Sequence, residues 1–391
     1  MEQGNASVHT GETLLLGLVA AAWVITAIRL LRGLRRIPHL SQVKPLPDAE
    51  SPTVSILVTA RDEAAKLPYA LPTWVSQQYP RYEIIVANDR SRDATPQILE
   101  EFARQHPHLK TVHLDELPPG WLGKPHGLAK AYEKSAGEWL VFTDADVRFG
   151  PDLLRYAVAL AHSRGWDHLT LLGPVDLKGF WENVAGTYWG LSFILWLEPW
   201  RVRDPRSKRY MGTGMFQLLR RSVYDAIGTH RRLALEVVDD IKLGKLVKQA
   251  GFSSGVALAD GRLRIRWQEG LANFARGLTK NAFAATGFSL VRVSLHLGGM
   301  ILTSVYPFLA VWTTTGLPRT LAGIGVVAAL ALHAAAARAT LASPLYALTH
   351  PLGGLIVAYV LLRSTVVTLW RGGIVWRDTF YPLEDLKRGM V

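Results

Sequence analysis

The chain has 391 residues, of which 49% are hydrophobic, and its formal net charge is +12. It contains no cysteine, which excludes disulfide bonds and cysteine-ligated metal centres. Such a basic composition is typical of a chain that binds nucleic acid, or of one that binds anionic lipid together with an anionic substrate. We find no nucleic-acid-binding motif, and basic residues flank the apolar segments. The composition therefore favours an integral membrane protein with no nucleic-acid partner.

The first predicted element is an apolar segment over residues 13–31, which is long enough to cross a bilayer. Arg32, Arg35 and Arg36 follow it, and positive residues stay on the cytoplasmic side. We therefore expect an uncleaved anchor, with the N-terminus outside and the next domain in the cytoplasm. A cleaved signal peptide is the alternative, although no basic residue precedes the segment. The proline-rich stretch 44–52 predicts a linker into a soluble domain.

Short apolar strands then alternate with helices. Strands are predicted at residues 53–60, 82–89, 109–115 and 139–142, and the helices between them include 94–106 and 126–137. This alternation predicts an α/β domain with a mostly parallel, Rossmann-like sheet and helices on both faces. The carboxyl ends of parallel strands meet at one edge of such a sheet, where ligands bind.

Two carboxylates, Asp144 and Asp146, follow the strand at 139–142. They repel each other and are costly to bury, and a divalent cation such as Mg²⁺ or Mn²⁺ relieves that cost. A plain polar turn is the alternative, because Asp is common in turns. Polar residues also follow the first two strands, at 59–63 and 88–93. Three polar strand ends in succession favour a ligand site along one rim of the sheet.

Five segments resemble, in the same order, the motifs of family-2 glycosyltransferases of the GT-A fold. They are VSILVTARDEA (54–64), EIIVANDRSRDAT (83–95), GKPHGLAKA (123–131), VFTDADV (141–147) and EVVDDIKLGKLVKQAG (236–251). The flanking membrane segments resemble the lipid-directed members, namely ceramide glucosyltransferase and the hopanoid- and carotenoid-associated enzymes. The resemblance implies transfer of a sugar from a nucleotide-sugar donor, usually UDP-linked, to a lipid hydroxyl.

The resemblance assigns the donor side of the site to the strand ends. It implies that Mg²⁺ or Mn²⁺ is held by Asp146, with Asp144 facing the ribose or the metal. Turn chemistry is the alternative for Asp89, and a solvated loop cation is the alternative for Lys124. The implied nucleotide-binding residues are Thr59, Ala60, Arg61, Glu63, Asp89, Lys124 and Asp144.

The acceptor side is assigned to two further segments. Gly212, Thr213 and Gly214 resemble the glycine-rich turn beside the acceptor, and a bare turn is the alternative. Asp239 and Asp240 match the family pattern Glu-Asp, with Asp240 as general base and Asp239 in place of Glu. An Asp base opposite the leaving group implies inversion at the anomeric carbon. Acidic residues in a first helical turn are otherwise ordinary stabilisers.

A cation is also expected to stabilise the leaving diphosphate. The segment FARGLTKNAF (274–283) resembles the carotenoid-type variant and places Arg276 and Lys280 four residues apart on one helical face. Processive synthases carry Gln-x-x-Arg-Trp instead, and before Arg266 and Trp267 this chain has Leu263 where Gln is required. A processive polysaccharide synthase is therefore the second reading, and a catalytically inactive membrane scaffold of the same fold is the third.

The remaining predicted elements are membrane segments. Residues 180–203 hold Trp181, Trp189, Trp196 and Trp200 and are predicted to lie at a membrane interface, with a core helix as alternative. Apolar segments at 293–312, 320–337 and 344–370 are predicted to span. Four spans would leave the C-terminus outside, whereas its basic residues prefer the inside, and an interfacial or re-entrant segment would resolve that conflict.

We divide the chain into three predicted domains on these grounds. Residues 1–44 form a transmembrane anchor with a basic flank. Residues 45–285 form the GT-A glycosyltransferase domain. Residues 286–391 form the C-terminal transmembrane segments and a basic tail.

Overall fold

A computed structural model describes residues 2–391, with side chains from Thr10 onward. The residues predicted to lie outside the cell at the N-terminus fall largely beyond the described side chains. The chain forms two compact units, each assembled from three stretches of sequence. The helical unit comprises the residues to Arg35, Leu177–Trp196 and Gln268–Gly372, and the α/β unit comprises Arg36–Asp176, Leu197–Trp267 and Gly373–Val391.

These units differ from the predicted domains of 1–44, 45–285 and 286–391. Residues 177–196 and 268–285 belong to the helical unit, whereas the basic tail belongs to the α/β unit. The difference arises because apolar helices interrupt the α/β sequence, and because the tail packs over a long distance in sequence.

The strands of the described residues all lie in the α/β unit. In chain order they are β1 (Val54–Ala60), β2 (Tyr82–Asp89), β3 (Leu109–Leu114), β4 (Trp139–Asp144), β5 (Val147–Phe149), β6 (His168–Leu172), β7 (Gln217–Arg220), β8 (Ser254–Leu258), β9 (Leu263–Ile265), β10 (Gly373–Trp376) and β11 (Thr379–Pro382).

Helices belong to both units. In chain order they are α1 (Glu2–Leu34), α2 (Leu67–Val75), α3 (Thr95–Gln105), α4 (Gly123–Glu133), α5 (Leu153–Arg164), α6 (Gly179–Leu197), α7 (Arg221–Ala226), α8 (Asp239–Gln249), α9 (Leu271–Thr279), α10 (Asn281–Ala285), α11 (Leu290–Met300), α12 (Tyr306–Thr313), α13 (Gly316–Ala339), α14 (His350–Arg371) and α15 (Leu383–Arg388).

A seven-stranded sheet in the order β3-β2-β1-β4-β7-β6-β8 forms the centre of the α/β unit. Its pairs are parallel except that β7 runs antiparallel to both β4 and β6. The predicted mostly parallel sheet is confirmed. Because β1, β2 and β4 are neighbours and parallel, their carboxyl ends meet at one edge, as the sequence predicted.

The central strand β1 is apolar on both faces because helices cover both. Ile56 and Val58 lie in one buried cluster with Trp74 of α2. Leu57 points the other way, into a second cluster with Leu128 of α4. Alternate residues of a strand face opposite sides of the sheet, so each face has its own core. The two cores hold the ends of β1, β2 and β4 in fixed positions.

Four stretches of the described helical unit are long and apolar enough to cross a membrane. They are Thr10–Leu34, Leu290–Thr313, Gly316–Ala339 and Pro344–Arg371, which confirms the four predicted segments by length and composition. The second of them contains a π-helical turn, Ile301–Val305, between α11 and α12. The last begins with a 3₁₀ turn, Pro344–Thr349, before α14.

Polar side chains join these helices inside the helical unit. The Tyr188 hydroxyl of α6 lies 2.8 Å from the Ser304 hydroxyl, and Thr187 Oγ1 lies 2.8 Å from His333 Nε2 of α13. Trp23 Nε1 of α1 donates to the Thr303 carbonyl at 2.9 Å. Among the tryptophans predicted at an interface, Trp181 is 50% exposed and Trp196 39% exposed, so both ends of α6 offer aromatic rings outward.

Candidate active site

The start of α4 brings a lysine between two pairs of carboxylates. Lys124 Nζ lies 2.7 Å from Asp144 Oδ1, at the end of β4, and 3.7 Å from Asp239 Oδ1, at the start of α8. Burial opposes the charge of this ammonium, but Asp144, Asp239 and Asp240 outweigh it, so the pKa of Lys124 is raised. Lys124 is therefore a permanent cation in the centre of the site.

Glycines allow α4 to approach the strand ends this closely. A Cβ on Gly127 would lie 2.5 Å from Thr59 Cγ2, and one on Gly123 would overlap Asp89 Oδ2. The Thr59 hydroxyl donates to the Lys124 carbonyl at 3.2 Å. The predicted residues Thr59, Asp89 and Lys124 consequently form one packed edge of the sheet.

Both carboxylates of the predicted metal site carry a lysine partner. Asp144 pairs with Lys124, and Asp146 Oδ2 accepts from Lys66 Nζ at 2.7 Å. Burial raises the pKa of Asp144, the Lys124 ammonium opposes this rise, and Asp146 adds to it. The two carboxylates therefore repel each other, and each is neutralised locally by an ammonium group.

The chemistry of these donors suits a hard divalent cation, since two carboxylates repel each other at one strand end. Within the described residues no group of three or more His, Cys, Asp or Glu side chains is arranged to hold a metal ion. Asp144 and Asp146 would therefore be two of the ligands, and the remaining ligands would be diphosphate oxygens or water. Lys66 would have to leave Asp146 for a cation to bind.

The residues predicted for the acceptor side lie at the start of α8 and in the turn 211–214, which pack against each other. A Cβ on Gly212 would overlap the Asp240 carbonyl oxygen, and one on Gly214 would overlap Asp144 Oδ2. Thr213 is 8% exposed, and its hydroxyl lies 3.4 Å from the Leu171 carbonyl. The turn therefore separates Asp144 from Asp240 with no room for a larger side chain.

Asp239 and Asp240 have different environments. Asp239 is 3% exposed and lies 3.8 Å from His230 Nε2. Asp240 is half-buried, and its Oδ1 accepts the Ile241 backbone N–H at 2.8 Å. Burial, and secondarily the neighbouring Asp239 and Asp144, raise the pKa of Asp240 to about 6 against the opposing Lys124. Asp240 is therefore the more open of the two carboxylates and is more basic than an ordinary aspartate.

Asp89, which is predicted to lie on the donor side, is 2% exposed, and both its carboxylate oxygens accept hydrogen bonds. Arg90 donates to it in a fork at 2.7 and 3.0 Å, and Arg61 NH1 lies 3.9 Å away. Ala60, which the resemblance assigns to the nucleotide, is fully buried in the core. Glu63 lies beside Lys66 at 3.7 Å, and burial raises its pKa.

The two cations that are predicted to stabilise the leaving diphosphate lie in the helical unit. Arg276 belongs to α9, where it donates to Asn273 at 2.7 Å, and Lys280 follows α9 and contacts Asn281 at 2.9 Å. Their assignment to the leaving diphosphate stays a prediction.

Several residues that no motif indicated also lie at the site. Lys66 contacts Asp146, and His230 contacts Asp239. From the C-terminal tail, Arg377 contacts Glu63 and Tyr381 contacts the Gly123 backbone. Lys66 lies three residues after Glu63, so its spacing was a usable signal. The tail residues are far away in sequence and gave no local signal.

Comparison with known proteins places this geometry in a family. The model of glycosyl transferase family 21 matches residues 13–388. The β-monoglucosyldiacylglycerol synthase of Synechocystis sp. is 27% identical over 271 residues, which are 63% of this chain and 55% of that protein. The 4,4'-diaponeurosporenoate glycosyltransferase of Staphylococcus haemolyticus is 23% identical over 233 residues, which are 59% of this chain and 60% of that protein.

A solved structure shows the same fold. The mannosyltransferase PcManGT from Pyrobaculum calidifontis, in complex with GDP-Man and Mn2+, matches with a TM-score of 0.52 at 20% identity and covers 91% of this chain and 99% of that one. This likeness confirms the predicted GT-A fold. The matches span about half the length of the curated β-monoglucosyldiacylglycerol synthases, 49% and 55% in the Nostoc and Synechocystis proteins.

The matched family carries the number 21 where the motif resemblance named family 2, and the enzyme class is the same in both. The match covers the membrane segments as well as the α/β unit, since it extends from residue 13 to residue 388. The chain therefore belongs to glycosyl transferase family 21 and is a glycosyltransferase of the GT-A fold.

Proposed function

We propose that the protein transfers a sugar from a nucleotide-sugar donor, a UDP-sugar, to the hydroxyl of a membrane lipid with inversion at the anomeric carbon. The observation that carries this proposal is the pair of carboxylate sites on either side of Lys124. The names of the relatives support a lipid acceptor, because one group acts on a diacylglycerol and another on a carotenoid acid. Four apolar helical stretches support a location at the membrane.

Asp240 is the proposed general base. It would accept the proton of the acceptor hydroxyl as that oxygen attacks the sugar. A pKa of about 6 leaves it ionised at neutral pH and still basic enough to take a proton. Asp239 lies beside Lys124 and His230, and these contacts would orient the start of α8, which carries Asp240.

Asp146, with Asp144, is the proposed metal site. Mg²⁺ or Mn²⁺ bound there with the diphosphate oxygens would neutralise the charge that develops on the leaving nucleotide. Lys124 would keep Asp144 oriented, and Lys66, once displaced from Asp146, would remain available to Glu63. Arg276 and Lys280 are proposed as further cations for the leaving group.

The protein is proposed to lie in the inner or plasma membrane, with its α/β unit on the cytoplasmic side. The three arginines after the first apolar segment support this orientation, because positive residues stay inside.

Nucleotide binding and product analysis on the full chain in detergent test the proposal. We expect UDP to bind more tightly with Mn²⁺ than with EDTA by calorimetry, and Asp146→Asn to abolish both transfer and this difference. Asp48→Asn, at a carboxylate 63% exposed on the surface, is the matched control and should behave as the parent. Equal UDP affinity with Mn²⁺ and EDTA would contradict the metal assignment.

Mass spectrometry of the lipid products tests the reaction. One sugar per lipid is expected, whereas a ladder of sugars would favour the processive synthase. Tighter binding of GDP than of UDP would change the donor and leave the rest of the proposal standing.

A further inference from the structure

The C-terminal tail, Gly373–Val391, lies against the donor side of the candidate site. Its hairpin β10–β11 turns at Arg377 and Asp378, and the Arg377 guanidinium forms an ion pair with Glu63. The Tyr381 hydroxyl interacts with the Gly123 backbone N–H and with the Arg90 side chain. Arg90 in turn holds both oxygens of Asp89. The tail therefore contacts Glu63 directly and Asp89 through Arg90, and the resemblance assigns both carboxylates to the nucleotide.

The tail is held firmly in this position. Tyr381 is 7% exposed and Leu386 is fully buried. The Val391 carbonyl accepts from Lys242 and Lys245 of α8 at 2.7 Å each, on the helix that begins with Asp239 and Asp240. The tail thus extends from the donor side of the site to the helix that carries the proposed base.

The turn of the hairpin has a strained backbone, and Arg377 is one of its two central residues. Arg377 has φ +48° and Asp378 φ +65°, the left-handed values that a two-residue type I′ turn requires. Asn and Gly are the residues that suit these positions, whereas Arg is unfavourable there. The surrounding structure nevertheless holds Arg377 against Glu63, and residues in such strained conformations cluster at ligand-binding sites.

We propose that Arg377 and Tyr381 are positioning residues of the donor site, so that the tail completes the pocket for a nucleoside diphosphate. The proposal rests on the function proposed above. Arg377 fixes the carboxylate of Glu63, which the resemblance assigns to the nucleotide and which also lies 3.7 Å from Lys66. Tyr381 fixes the Arg90 fork on Asp89 and the first residue of α4. Both effects act on donor binding and not on the proton transfer at Asp240.

Calorimetry with UDP and steady-state kinetics on the full chain in detergent test this role. Arg377→Gln and Tyr381→Phe are each expected to raise the Kd for UDP and the donor KM about tenfold, the usual cost of losing one charge-assisted hydrogen bond. The kcat at saturating donor should stay within about twofold. Arg377→Lys should recover part of the loss, because it keeps the charge.

Arg388→Gln is the matched control, because Arg388 lies in the same tail, is 77% exposed and pairs with Asp385 one turn before it on α15. It should bind UDP as the parent does. Parental UDP affinity in folded Arg377→Gln and Tyr381→Phe would overturn the positioning role alone. A parent chain that binds neither UDP nor GDP would overturn the proposed function and this role together.

A second inference concerns how the chain returns to the α/β unit. The chain leaves that unit after Trp267 and rejoins it at Gly373, and three of the candidate spans lie between. A polar folded unit lies on one side of a bilayer, because hydrocarbon cannot satisfy its exposed backbone groups. An even number of those three stretches must therefore cross the bilayer. When two of them cross, the third returns to the side from which it started.

Contacts within the helical unit give the direction of each helix. A Cβ on Gly17 would lie 3.7 Å from Leu321, and one on Gly325 would lie 3.6 Å from Ala20, so α1 and α13 run in the same direction. Only two residues separate α12 from α13, and Ala310 and Ala322 share a buried cluster, so these two helices run in opposite directions.

The direction of α14 follows in the same way. A Cβ on Gly354 would lie 3.2 Å from Ser304, whereas Ser364 Oγ accepts from the Phe283 backbone N–H at 2.9 Å. Helix α14 is therefore antiparallel to α11 and α12 and runs in the same direction as α13. Because α13 and α14 are successive and run in the same direction, the chain between them must reverse its direction. The 3₁₀ turn Pro344–Thr349 lies in this connection and packs against α13.

We infer that the stretch Pro344–Arg371 is re-entrant and that α14 starts within the membrane. The His350 ring, at the first residue of α14, lies 5.2 Å from the His333 ring, which is six residues or about 9 Å before the end of α13. Further along α14, Arg363 Nε donates to Thr279 Oγ1 of α9, which precedes the span that begins at Leu290. Helix α14 thus leaves the membrane on the side where α13 ended.

Single cysteines test this topology, since the chain has none of its own. Four variants each carry one cysteine, in place of an exposed residue: Arg104, Leu317, Leu341 or Arg388. Intact cells that make each variant are treated with a membrane-impermeant maleimide. Positions 104, 341 and 388 should share one labelling behaviour and position 317 the opposite one. Position 388 or 341 behaving like 317 would overturn the re-entrant stretch. Labelling of all four after solubilisation is the control for reactivity.

Discussion

At the scale of single residues, Lys124 connects the two halves of the candidate site. Its ammonium is 2.7 Å from Asp144, on the proposed donor side, and 3.7 Å from Asp239, beside the proposed base. A charge in this position influences both groups, since Coulomb interactions at these distances in a partly buried site are several-fold stronger than in water. The protonation of Asp240 is therefore expected to depend on its neighbours.

Replacement of the proposed base separates Asp240 from Asp239. Asp240→Asn keeps the shape and removes the basicity, so it should lower turnover by about 10²–10⁴ with little change in UDP affinity. Asp239→Asn should lower turnover much less, because the Asp239 carboxylate is buried against Lys124 and His230 and is less open to an acceptor than Asp240. An inactive Asp239→Asn beside an active Asp240→Asn would move the base by one residue. Activity in both variants would exclude the proposed mechanism.

The pH profile provides an independent measure of the same group. Burial and the adjacent carboxylates raise the pKa of Asp240 from 3.8 to about 6, so activity that needs its ionised form should be present above pH 6 and lost as the pH falls through that value. Asp239→Asn removes one of the charges that raise this pKa, so the acid limb of kcat/KM should move to lower pH. An unchanged or higher limb would contradict the assignment.

The acidic residues of the site were visible in the sequence, whereas their contacts were not. Asp89, Asp144, Asp146 and Asp240 stand at strand ends or a helix start, which local patterns reveal. The pairing of Lys124 with Asp144 depends on how closely α4 approaches β1 and β2, which is decided by Gly123 and Gly127. The contact of Arg377 with Glu63 joins residues 314 positions apart, beyond any local pattern.

At the scale of elements, the strands predicted from apolar runs agree closely with the structure. The strands β1, β2 and β3 lie within one residue of the predicted limits, and β4 continues two residues further, to Asp144. Short strands with ordinary composition, such as β7 and the β10–β11 hairpin, were not predicted. Strand β7 runs antiparallel between β4 and β6, and such pairing depends on partners far away in sequence.

Two helical glycines test how tightly α14 packs. A Cβ on Gly353 would lie 2.6 Å from Tyr188 Cβ of α6, whereas one on Gly323 of α13 meets nothing within 4 Å. Gly353→Ala should therefore destabilise the chain by about 1–3 kcal/mol through overpacking. Gly323→Ala should stabilise it by about 0.5–1 kcal/mol through helix propensity. Thermal unfolding in detergent measures both, and a Gly353→Ala variant at least as stable as the parent would contradict the close approach of α14 to α6.

At the scale of the whole molecule, the C-terminal tail belongs to the unit that carries the candidate site. Removing residues 373–391 would uncover the surface that buries Leu386 and would leave Glu63 and Glu236 without their tail partners. We expect the shortened chain to unfold at lower temperature and to lose most of its UDP affinity. The double variant Lys387→Gln with Arg388→Gln, which keeps the tail, is the control. Parental stability of the shortened chain would contradict the packing of the tail.

The alternation of the two units along the chain has a consequence for biosynthesis. After α1, a ribosome releases the residues around Asp89, Asp144 and Asp240, then every apolar helix from α11 to α14, and only then the hairpin that contacts Glu63. Domains generally begin to fold as they emerge, but this one cannot be finished before its membrane helices have left the ribosome. Completion of the proposed donor pocket would therefore follow insertion, so that newly made enzyme would gain its full affinity for donor only once it had reached the bilayer in which we propose that its acceptor lies.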